Sequence, residues 1–160
     1  MKAQVLLANK LEKIYNEDFY QWIQITSQQI RKQDLESLDW VHLLDELEAL
    51  GNEQKHQLES RLIVLFEHLI KLAYWQQERE YNRRGWQGTI IEQRKQLKRL
   101  LKKNPSLKPY FLEIFEECYQ DARDIAIAKT GIEAENLPST PILTPEQALD
   151  ETWLPILFGE

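Results

Sequence analysis

Apolar positions along the chain recur at intervals of three and four residues, and the strict alternation of a half-buried strand is absent. "NEDFYQWIQITSQQIRKQ" places Phe19, Trp22, Ile23, Ile25 and Ile30 on one broad stripe. That pattern predicts a helix over about Glu17 to Lys32, with Asn16 as its N-cap. In "LDWVHLLDELEALG", Trp40, Leu43, Leu44, Leu47 and Leu50 share the face expected to turn inward, behind Asp39 as a cap. Gly51 reads as the residue that ends this helix in the left-handed region. Asn52 then caps a longer helix to about Tyr74. Its "LIVLF" is apolar all round and needs neighbours on several sides, so it is expected to be the central element.

"QQEREYNRRGWQG" reads as a polar connection, and "TIIEQRKQLKRLLKKN" as a basic helix with Ile90, Leu97, Leu100 and Leu101 inward. Pro105 closes it, since proline cannot donate to the helix ladder. Ser106 is expected to cap the next helix, with Pro109 in its first turn and Phe111, Ile114, Phe115, Cys118, Ala122 and Ile125 on the apolar face. Gly131 ends it. Thr144, Pro145 and Gln147 have the spacing of a capping box for a short last helix, after which Trp153 and Leu154 dock the tail. The expected fold is all-α: a single-domain helical bundle over residues 14–155, with about five main helices and a short C-terminal helical tail. Residues 1–13 form an N-terminal extension, flexible or helical.

Five segments of this pattern, "YNEDFYQWI", "LDWVHLLDELEALG", "LESRLIVLFEHLIKLAYW", "GWQGTIIEQRKQLKRLL" and "NPSLKPYFLEIFEECYQDAR", resemble the bacterial family called domain of unknown function 29. The resemblance covers about Ile14 to Pro155 and rests on the order and spacing of the Trp-bearing motifs. It implies an all-helical fold and no particular activity. The family pattern includes positions matching Trp40, Glu46, Glu48, Gly51, Arg61, Trp75, Trp86 and Arg94, with no role attached to them.

Charge changes the picture more than composition does. The formal charge is −6, yet Arg79 to Lys108 holds ten cations against Glu80 and Glu92. The densest apolar stretch, Leu62 to Trp75, is broken by Glu67, His68 and Lys71 and is too short to span a bilayer. The opening residues lack the pattern of a secretory signal. Cys118 is the single cysteine, which excludes an internal disulfide. A cytoplasmic protein with no membrane partner is the expectation.

Three constellations could carry chemistry. His42 with Glu46, and Glu53 with His56, have metal-like helical spacings, but the break expected at Gly51 assigns them to separate helices, and a bundle di-iron site would need a second Glu-x-x-His. No metal and no cofactor is expected. Glu46, Glu48, Arg61 and His68 form a candidate buried polar cluster; Glu46, Glu48, His68 and Arg94 would be the pocket of an enzyme. Arg83, Arg84, Trp86, Arg94 and Lys98 are the candidate binding residues of the basic segment 79–108, with Trp86 as a stacking platform for nucleic acid. Cys118, flanked by Glu116, Glu117 and Asp121, is expected to be an inert core thiol. The leading expectation is a module that binds another protein or its own copy; nucleic-acid binding and a Glu/His/Arg enzyme are the alternatives.

Overall fold

The computed structural model describes residues 2–159, with side chains from residue 9 onward. The fold is all-α: α1 (Lys2–Glu17), α2 (Phe19–Arg31), α3 (Trp40–Tyr74), α4 (Gln76–Lys103), α5 (Lys108–Glu113), α6 (Phe115–Thr130) and α7 (Pro145–Leu149). Single 3-10 turns lie at Pro105–Leu107 and Ala134–Asn136. Among the described residues no strand occurs. The chain divides into two compact units, Met1–Asn52 and Glu53–Glu160, and α3 carries the backbone from one to the other.

In the first unit the chain turns between α1 and α2 at Asp18, whose carboxylate accepts the backbone N–H of Gln21 at 3.0 Å. The cap is therefore Asp18, and Asn16 lies inside α1, donating to the Glu12 carbonyl. Either residue can cap, and the choice falls on the one whose side chain reaches the third residue beyond it. Gln33 then takes the left-handed conformation, with φ of 58°, as the chain leaves α2.

Two expected interruptions are absent. Gly51 lies within α3, because a glycine in a helix interior costs only about 1 kcal/mol and Glu48, Ala49, Leu50 and Gln54 around it are good helix formers. The polar stretch after Trp75 is the start of α4, since Gln, Glu and Arg favour helix whatever their polarity. One unexpected interruption occurs: the apolar helix after Pro105 splits at Ile114 into α5 and α6. Ser106 lies in the 3-10 turn before α5, and the cap position, Leu107, offers no side-chain acceptor.

The second unit is built round the last turns of α3. Leu58, Leu62, Leu65, Phe66, Leu69 and Ile70 have no exposed surface. Phe66 meets Phe115 and Tyr119 edge-on, with ring centroids 4.9 and 5.8 Å away. Trp86, Ile90 and Leu97 of α4 and Tyr119, Ala122 and Ala126 of α6 complete the core. Gly131 ends α6 with φ of 70° and returns its N–H to the Ile127 carbonyl. Thr144 and Gln147 exchange both bonds of the capping box that starts α7.

Two arginines of α4 are spent inside this unit. Arg94 is fully buried and donates to the carbonyls of Gln147, Ala148 and Trp153, satisfying the open C-terminal end of α7. Arg79 does the same for α3, donating to Leu72 and Ala73 and also to Phe158, whose own N–H returns to Ala73. The C-terminal segment is thus tied by main-chain atoms at two places.

Candidate functional site

The first unit holds its helices together with polar contacts. Asp39 is the hub. Its carboxylate accepts the indole N–H of Trp22 at 3.2 Å and the backbone N–H of His42 at 3.4 Å, and it lies 2.7 Å from Nδ1 of His42. The His42 ring stacks on Tyr15 at 3.9 Å between centroids. The Tyr15 hydroxyl donates to Glu46 at 2.6 Å, and this bond to a carboxylate raises the Tyr15 pKa. Tyr15, Phe19 and Trp22 pack as an aromatic cluster beside the hub.

The first three turns of α3 are therefore reversed relative to the expectation. His42 and Glu46 face α1, and the apolar face points outward. Trp40, Leu44, Leu47 and Leu50 are 56, 57, 58 and 64% exposed, and Leu43 alone of that face is half-buried. The expectation of an inward leucine face failed because a helix of this amphipathicity fixes which residues share a face, not which face is covered. On α2, Phe19, Ile23 and Ile30 are exposed too, along a stripe beside the buried Trp22 and Thr26. Isolated exposed leucines are ordinary on a protein surface; four large apolar side chains exposed on consecutive turns of one helix are not isolated.

The patch has an acidic setting. Seven carboxylates lie between Gln33 and Gln54, and not one Lys or Arg. Glu48, exposed and four residues on from Leu44, stands beside the stripe.

The residues singled out from the sequence are divided between the two units. Glu46 is bonded to Tyr15 and Glu48 is exposed, both in the first unit. In the second unit, Arg61 donates to Gln93 at 3.4 Å. His68 is half-buried and bonded through Nδ1 to the Val64 carbonyl; burial depresses its pKa, partly offset by that bond. Arg94 is fully buried and donates to three main-chain carbonyls. Trp86 is buried and stacks on Trp75 at 5.7 Å, so its ring belongs to the core and not to the basic surface. Arg83, Arg84 and Lys98 are exposed, and Lys98 pairs with Glu151 at 3.0 Å.

Among the described residues, no three His, Cys, Asp or Glu side chains gather as a metal site would require. His56 lies 3.4 Å from Glu59. Cys118 is buried, and burial pushes its thiol up to about 12, with Glu59, Asp121 and Glu117 adding to the shift.

Three buried charged groups, Glu67, Lys71 and Arg79, are absent from the candidate sites read from the sequence. Glu67 is bonded to Lys71 and, at 2.8 Å, to Lys129. Burial alone would raise its pKa; the two lysines outweigh it and hold the carboxyl below its usual range. Arg79 is the third. A signal for the arginines was available: Arg79, Trp86, Ile90, Arg94 and Leu97 fall on one helical stripe, with the two arginines inside an apolar row.

No helix among the described residues is long and apolar enough to cross a membrane. No curated protein and no solved structure matches the chain. Residues 14–154 match the family described as "Domain of unknown function DUF29", and the chain belongs to that family.

Proposed function

We propose that the protein is a protein-binding module and that the outward face of α3, Trp40 to Leu50, is its contact surface. The observation that carries this reading is the reversal of that helix: its polar side is consumed inside the first unit, by Tyr15 and Asp39, while four large apolar side chains face solvent. Burying such a patch against a partner removes apolar area from water, which is the main favourable term in association. The occupant is a second copy or the helix of another protein, since an exposed leucine stripe is matched by the apolar face of a helix.

Sedimentation velocity of the chain, alone and with amphipathic helical peptides, reads the occupancy of this face. Acrylamide quenching of tryptophan emission then locates it, because Trp40 becomes protected when the face is covered. A strict monomer whose quenching no peptide alters would overturn the reading.

A second reading is favoured by one observation: Arg84, Lys95, Arg99, Lys102 and Lys103 are all exposed on α4. A cationic row of this kind suits phosphates. Oligonucleotide mobility should then be retarded at low salt and released steeply as salt rises. Unchanged mobility at low salt would remove it.

A further inference from the structure

We infer that the occupant of the α3 face is a basic amphipathic helix of a partner polypeptide, with apolar anchors flanked by Lys or Arg. This rests on the reading of that face as a protein contact surface and adds the chemistry of the partner. The argument is one of sign. The exposed stripe Trp40–Leu44–Leu47 is bordered by Glu48, within a stretch from Gln33 to Gln54 that has seven carboxylates and no Lys or Arg.

A second copy docked face to face would bring two such acidic margins together, and like charges across an interface select against a partner. An anionic membrane surface is disfavoured for the same reason. The basic helix α4 of another copy has the right charge but not the anchors. Its Trp86, Ile90 and Leu97 are buried in its own core. What fits is a helix with leucine-like residues at i, i+3 or i+4, and i+7 to meet the stripe, and cations beside them to meet Glu48 and the acidic stretch around it.

The test uses synthetic peptides and isothermal calorimetry on the full chain. Three peptides share one length: an amphipathic Leu–Lys helix, a Leu–Glu helix of the same pattern, and a Leu–Lys sequence scrambled so that no apolar face forms. The expected result is binding of the Leu–Lys helix, weakening with salt, and loss of affinity by about tenfold or more for the other two. A Leu44→Gln/Leu47→Gln variant should lose about as much, because both anchors of the contact are removed. Both side chains are exposed, and circular dichroism checks that the helices are kept.

If the Leu–Glu helix binds as well as the Leu–Lys helix and Leu44→Gln/Leu47→Gln abolishes both, the charge inference fails and the contact surface stands. The same conclusion follows if the chain dimerises through the stripe. If the Leu–Lys helix binds the variant as tightly as the native chain, or no peptide binds and the chain stays monomeric, both readings fail.

Discussion

Arg94 donates from Nη1 to the carbonyl of Trp153 at 2.6 Å, and its guanidinium carbon lies 5.8 Å from the centroid of the same residue's indole. One side chain thus holds the main chain and the ring of a residue 59 positions away. Two further carbonyls, Gln147 and Ala148, share the guanidinium. Lysine offers a point charge where a planar fork is required. Arg94→Lys should therefore destabilise the fold by about 2–4 kcal/mol, the order expected when buried acceptors lose charged donors. Urea unfolding would give the magnitude, and hydrogen exchange should show the loss concentrated in residues 144–153.

Gly51→Ala should stabilise the protein. Gly51 lies inside α3 without a positive φ, and a Cβ built there meets nothing within 4 Å. Removing the glycine's backbone freedom is worth about 0.5–1 kcal/mol. A thermal scan should move upward by about 1–4 °C. A lower midpoint would mean that the helix does break at this position.

Acidification should weaken the fold in two stages. Burial holds His68 neutral, with its folded pKa below the value near 6.5 of an unfolded chain. The folded state then binds fewer protons, so its contribution is complete above about pH 6.5 and is lost as pH falls through that range toward the folded pKa. Glu67 is depressed as well: its contribution is complete above the ordinary value of 4.5 and declines below it. Unfolding midpoints measured from pH 7 to 3 should decline in both windows. His68→Gln should flatten the first and Glu67→Gln the second; a His68→Gln profile that still falls between pH 6.5 and 5 would refute the assignment.

Cys118 should be inert in the native protein. It is buried, and its thiol is pushed up to about 12, so almost no thiolate exists at pH 8. A chromogenic disulfide reagent should label it only as fast as the second unit opens, and immediately in urea. Prompt labelling without denaturant would contradict this placement.

The parts of the fold that were legible in the sequence are those where one residue decides the local backbone. Gly131 supplies the left-handed cap and Thr144 with Gln147 a capping box, and both signals act within a few bonds. The all-α class was legible from spacing alone. Gly51 and the polar run after Trp75 misled for the opposite reason: a weak local penalty was offset by strong helix formers on either side. Arg79 escaped, and Arg94 was assigned to the basic binding segment, because arginine is counted as surface, although each has main-chain carbonyls to satisfy it. The orientation of the first turns of α3 was the least accessible. It depends on where Tyr15 and Asp39 lie in three dimensions, and the periodicity of Trp40, Leu44 and Leu47 is the same whether that face is covered or open.

The missing cations around the start of α3 also set how this surface can be observed. Trypsin cleaves after Lys and Arg, and none occurs between Lys32 and Lys55, so Gln33 to Lys55 leaves a digest as one peptide. Everything that happens to Trp40, Leu44, Leu47 and Leu50 is then averaged into a single mass. Amine-directed cross-linkers likewise find no lysine there, while carbodiimide coupling finds a carboxylate on nearly every turn. A contact on this face would go unseen with the commonest reagents and stand out with cleavage after glutamate and coupling through acids.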